Sequence, residues 1–137
     1  MLMRTANGRL FSTHSPVDDC ATAWTTPVPT QVLNPNSRPS LVVARNASCL
    51  ILASNPDDTG IDKWPAWGER SLLMLKGSCD GGTTWDNITV LEPRSNLSNC
   101  YPSVVVTTSD TIVTAYSVYF ENVPRIGIKV AMLKKQL

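Results

Sequence analysis

The sequence predicts an all-β protein assembled from repeating antiparallel units, and three observations carry that expectation. Helical periodicity is almost absent from the 137 residues; short runs rich in Val, Ile, Leu and Thr alternate with Asn, Asp, Gly, Pro and Ser. The ten prolines sit mostly between those runs, where a missing amide donor breaks no ladder hydrogen bond. The third observation is internal repetition with a period near 60 residues, the mark of stacked supersecondary units.

Strands are expected at 9–12, 40–44, 49–54, 71–76, 87–91, 103–107, 111–118 and 126–133. The repeat is visible in two places. Pro39-Ser40-Leu41-Val42-Val43-Ala44, a polar turn and Leu50-Ile51-Leu52-Ala53-Ser54 are echoed by Pro102-Ser103-Val104-Val105-Val106-Thr107, a polar turn and a second apolar run from Thr111. From Pro39 to Pro102 is 63 residues. The stretch Ser78-Cys79-Asp80-Gly81-Gly82-Thr83-Thr84-Trp85 has a worn copy in Asp19-Cys20-Ala21-Thr22-Ala23-Trp24, where the Asp-to-Trp spacing survives, and Asp19 to Asp80 is 61 residues. Two independent features at nearly one period imply units of about four strands each.

The intact copy has a plain physical reading. Asp followed by Gly-Gly is a tight-turn signal, because the carboxylate accepts backbone N–H groups ahead of it and Gly tolerates positive φ. Ser78 and Thr84 can satisfy further turn groups, and Trp85 supplies a large apolar side chain to fill space between strands. A turn of this kind identifies architecture and performs no chemistry.

Composition narrows the function classes. With 42% apolar and 17% charged residues the chain is a folded globular one. A net charge of +1 gives no pull toward nucleic acid or a membrane surface. No apolar run is long enough to span a bilayer as a helix, and no charged-then-apolar leader opens the chain. Cys20, Cys49, Cys79 and Cys100 show no C-x-x-C pair, so no zinc site, other metal or cofactor is expected. Three sequons, beginning at Asn46, Asn87 and Asn96, point to a secretory route. On that route disulfides can form; otherwise the cysteines are buried thiols.

These residues together resemble a known family. Met3-Arg4-Thr5, Asn7-Gly8-Arg9-Leu10, the worn box ending at Trp24 and Leu33-Asn34-Pro35-Asn36-Ser37 are similar in order to the late blades of BNR/Asp-box sialidase-like proteins. Arg70, the intact Asp-box (Ser78, Asp80, Gly82, Thr84 and Trp85), Tyr101-Pro102 and Arg125-Ile126 continue the match. The resemblance implies a partial sialidase-like β-propeller of about two to two and a half four-stranded blades. Residues 1–30 would end one blade, 31–95 form a whole one with the Asp-box, and 96–137 form the last. Because a propeller needs roughly four to eight blades to close, the chain is expected to be the C-terminal part of such a domain, completed by blades upstream of Met1.

The family's chemistry is exo-α-sialidase hydrolysis of terminal sialic acids on glycoconjugates. Sialic acid carries a carboxylate on its anomeric carbon, which planar arginine forks can grip bidentately. That carboxylate repels a carboxylate nucleophile, so a tyrosine serves instead, activated by a glutamate, with an aspartic acid as general acid. By motif position the resemblance implies that Arg4 and Arg70 bind the substrate carboxylate and that Tyr101 is the nucleophile. Each has a bland counterpart: a frayed terminus for Arg4, a strand-edge ion pair with Glu69 for Arg70, a core aromatic for Tyr101. Asp18, Asp19, Asp57, Asp58 and Asp62 match no catalytic pattern, and the missing arginine, aspartate and glutamate are expected upstream. The chain alone is therefore expected to be inactive. The alternatives are a non-catalytic propeller fragment that binds glycans or proteins, and a structural fragment with no function of its own. His14 reads as a polar strand residue, and Trp64-Pro65-Ala66-Trp67 as aromatics able to stack on a sugar or to plug a gap between blades.

Overall fold

The computed structural model describes residues 1–15, 23–44, 48–57, 69–120 and 127–134. Among the described residues, ten strands form three antiparallel sheets. Sheet 1 holds β1 (Leu2–Met3), β2 (Arg9–Ser12) and β3 (Val28–Leu33) in that order. Sheet 2 is a four-stranded meander of β4 (Ser40–Val43), β5 (Leu50–Ser54), β6 (Leu73–Ser78) and β7 (Asp86–Glu92). Sheet 3 contains β8 (Leu97–Val106), β9 (Thr111–Phe120) and β10 (Gly127–Lys134), with β9 central. Among the described residues no helix is long and apolar enough to cross a membrane.

Every expected strand is present, and the differences have physical causes. β3 escapes the pattern because Pro27 and Pro29 interrupt its apolar residues; Pro29 is tolerated because β3 is a sheet edge. β1 is too short to leave a periodic signal. β8 begins six residues before the expected 103, and the ladder shifts register between Cys100 and Ser103. That bulge accommodates Pro102 inside a paired strand. Trp64, Trp67, Asp58, Asp62, Asp18, Asp19, Cys20 and Arg125 lie outside the described residues.

β5 explains how the sheets stack. Its side chains are apolar on both faces because both are covered. Ile51 and Ala53 pack with Ala44, Leu75, Val104 and Ile112 toward sheet 3. Leu52 points the other way, onto Leu10 and Val32 of sheet 1, with Leu2 and Trp85 closing the cluster. A third cluster joins Leu73 of β6 to Tyr116 and Val118 of β9. Fully burying one such Leu contributes about 1.5–3 kcal/mol, so sheet 2 is held from both sides.

Candidate functional site

Antiparallel meanders deliver successive loops to alternate ends of the stack. Residues 4–8, 34–39, 55–57, 69–72 and 93–96 share one end; residues 44, 48–49, 79–85 and 107–110 share the other. Three of the expected functional positions fall at the first end: Arg4 after β1, Arg70 before β6, and Tyr101 early in β8.

This end is built on buried asparagines. Asn34 donates its amide to the Gly8 carbonyl, tying loop 34–39 to loop 4–8 (2.8 Å), and its Oδ1 accepts the Ser37 amide (2.9 Å). Ser37 Oγ donates to Asn55 Oδ1 at 2.7 Å. Asn55 Nδ2 in turn faces three carbonyls: Leu72 (2.8 Å), Arg70 (3.1 Å) and Asn99 (2.8 Å). Asn99 Nδ2 donates to Ser71 O at 2.6 Å, and the Asn99 amide donates to Arg70 O at 2.9 Å. Asn34, Asn55 and Asn99 are wholly buried. One network thus connects all three sheets and holds the Arg70 backbone, with Asn34 Nδ2 and Asn99 Oδ1 left buried without a hydrogen-bond partner.

Arg70 is half-buried, and its guanidinium donates to the Asn36 carbonyl at 3.2 Å. Asn36 is itself in the left-handed region (φ 55°). Tyr101 lies within the β8 bulge with φ 55°, a conformation that costs a non-glycine residue about 1–3 kcal/mol. Its side chain is 41% exposed, so it is not a core aromatic. Beside it, Tyr119 Oη donates to the Sγ of buried Cys100 (3.2 Å). Burial first, then the bond to Cys100, pushes the Tyr119 phenol up from its ordinary range, and Arg70 works in the opposite direction. Arg70 and Tyr101 are therefore each within electrostatic reach of Tyr119. Arg4 is exposed in loop 4–8, on the same end but linked to the others through backbone alone.

Two carboxylates among the described residues at this end meet an arginine. Buried Asp57 and exposed Glu69 both accept from Arg94 Nη1, at 3.1 and 3.0 Å, and Glu69 also accepts from the Ser71 hydroxyl. Further out, Glu92 accepts from Tyr116 (2.6 Å) and Lys129 (2.7 Å). Burial opposes ionisation of Glu92, yet those bonds and the Lys129 charge outweigh it and hold the carboxyl below its usual range. Burial and Glu92 keep the Tyr116 phenol protonated well above the usual tyrosine range. This trio clamps β7 to sheet 3.

The opposite end carries the Asp-box. Asp80 accepts from Ser78 Oγ (2.7 Å), the Thr83 and Thr84 amides (3.0 Å each) and Thr84 Oγ1 (2.6 Å). Ser78 Oγ accepts the Gly82 amide, and Gly81 and Gly82 take φ of 73° and 93°. Trp85 Nε1 donates to Gly82 O while the ring packs between sheets 1 and 2. The Thr84 hydroxyl and amide, with Ser78 and Thr83, hold the Asp80 carboxyl far below the usual carboxylate range. Cys79 within the box is disulfide-bonded to Cys49 of loop 44–49, and Cys100 is an unbonded, buried thiol. His14 lines a cleft of about 160 Å³ at this end with Leu2, Ser12, Leu50 and Trp85, away from Arg70 and Tyr101.

Sequence reasoning missed Asn55, Asn99 and Tyr119. The available signals were small: a buried-strand run ending in Asn55-Pro56, and an asparagine two residues before Tyr101.

Stacked antiparallel sheets of three, four and three strands among the described residues, joined by up-and-down connections and marked by a Ser-Asp-Gly-Thr-Trp turn, define a partial β-propeller-like architecture. A family model for the BNR repeat-like domain matches residues 1–114, and the chain belongs to that family. No curated protein matches the chain.

Proposed function

We propose that this chain is part of an exo-α-sialidase-like glycoside hydrolase acting on terminal sialic acids of glycoconjugates. In this reading its three sheets are successive blades. Arg70 and Arg4 grip the sugar carboxylate, and Tyr101 is the nucleophile at the anomeric carbon. The observation that supports it best is Tyr101 itself: an exposed phenol held in a strained backbone conformation by a bulge, with Arg70 anchored to the same buried asparagines. Strain kept by an over-determined backbone is characteristic of functional positions. An arginine whose backbone is fixed keeps its planar fork aimed, which suits a carboxylate.

One observation favours a second reading, a blade set that binds sialylated glycans without cleaving them. Asp57 and Glu69, acidic groups described at this end, both meet Arg94. The glutamate and aspartic acid that hydrolysis needs would then come from further blades, or would be absent.

Two measurements on the 137-residue protein test these readings. Sialic acid titrated into the labelled protein should shift the resonances of residues near Arg70 and Tyr101, and Arg70→Ala should weaken binding by at least tenfold. Binding unchanged by Arg70→Ala would sink both readings. No sugar release from a fluorogenic sialoside is expected from this chain alone. Release abolished by Tyr101→Phe would show instead that the chain carries a full catalytic set.

A further inference from the structure

We propose that Asn87 and Asn96 are acceptors of N-linked glycans. Both open a sequon, Asn87-Ile88-Thr89 and Asn96-Leu97-Ser98. The structure adds what the motif lacks. In each triplet the middle residue is the one that packs inward: Ile88 against the cluster around Leu75 and Ile51, Leu97 against Leu73, Tyr116 and Val118. The β6–β7 ladder shifts register here, so that Asn87 lies opposite Lys76 and Thr89 opposite Leu75, with Ile88 in the bulge between them. Asn96 is the last residue of loop 93–96, immediately before β8. Asn87 and Asn96 are both exposed, so a bulky sugar on either stays in water after folding.

At Asn87 the carboxamide is also oriented. The Lys76 ammonium has only donors, so the atom it meets at 2.6 Å is Oδ1, leaving Nδ2 on the open side. Nδ2 is the atom to be modified. It exchanges one N–H bond for a bond to the anomeric carbon of a lipid-pyrophosphate-linked oligosaccharide. The lipid pyrophosphate leaves and a proton is released.

A second, independent feature points to the same compartment. The Cys49–Cys79 disulfide needs an oxidising environment, and the lumen of the secretory route, where sequons are modified, is one. Asn96 lies in loop 93–96, at the same end as Arg70 and Tyr101, so its glycan would stand at the rim of the proposed sugar-binding face. Asn87 lies on β7 beside the Asp-box end.

The full 137-residue chain, directed through the secretory route of eukaryotic cells, provides the test. Enzymatic deglycosylation in ¹⁸O-water should convert Asn87 and Asn96 to labelled aspartate, read by peptide mass. Asn87→Gln and Asn96→Gln should each remove one glycan mass step, as should Thr89→Ala and Ser98→Ala, whereas Thr89→Ser should retain it. Mapping both secreted and intracellular pools prevents a variant that fails to fold from hiding the result. Either asparagine found unmodified in disulfide-bonded protein overturns the assignment of that asparagine.

Discussion

The two ends of the sheet stack are held by opposite strategies. At the Asp-box end the side-chain hydrogen bonds described for residues 78–85 reach no more than four residues along the chain. The turn closes on itself and is attached to the rest by the Trp85 ring and a disulfide. At the asparagine end the bonds of Asn55 reach Arg70, Leu72 and Asn99, across 15, 17 and 44 residues, and the participants are buried. The first end can form as soon as its eight residues exist. The second exists only after three sheets have stacked, and it is the end that carries Arg70 and Tyr101. Architecture is thus set locally, and the candidate site globally.

The largest expected effect tests the buried end. Asn55→Ala removes the donor shared by three carbonyls, of which Arg70 O keeps the Asn99 amide, and leaves Ser37 Oγ without its acceptor. At about 1–3 kcal/mol per orphaned buried group, the loss should reach about 3 kcal/mol or more. Urea melts would measure it, and a change below about 1 kcal/mol would remove the network from its organising role. Reduction of Cys49–Cys79, which span 30 residues, should cost about 3–4 kcal/mol by the chain-entropy relation. Hydrogen exchange should localise the loosening to loops 44–49 and 79–85 while amides near Asn55 and Asn99 stay protected. Equal loosening at both ends would erase the contrast between them.

The smallest effect concerns Asp80. Its folded-state pKa lies below the unfolded value, so the ionised form is favoured by folding. That stability is present above about pH 4 and drains away as the pH falls below it. Thermal melts from neutral to acid pH should show a decline that is blunted in Asp80→Asn. An identical acid profile in the variant would mean that the Asp80 bonds add nothing to the fold. Because the group is exposed, the effect should be modest and local to the turn.

Legibility in the sequence follows the same division. The Ser78–Trp85 turn was readable because each of its groups finds a partner within a few residues, so residue type and spacing suffice. Most strands were readable from period-two apolar runs and punctuating prolines. β3 was not, because edge position, which excuses Pro29, is a property of the assembled sheet. Arg70 and Tyr101 could be placed by resemblance alone. Their nearness to Tyr119 could not, because it depends on a β8 bulge and on the pairing of β8 with β9.

By itself, then, the sequence determined the all-β class, the repeat length, the Asp-box turn and which loops carry candidate residues. These depend on local backbone preference and side-chain alternation. The tertiary structure alone decided that Asn34, Asn55 and Asn99 knit the three sheets, that Tyr101 is bulged and exposed, and that Cys79 is paired with Cys49. Those outcomes belong to groups far apart in the chain, whose buried hydrogen bonds and covalent link become favourable only once hydrophobic stacking has brought them together.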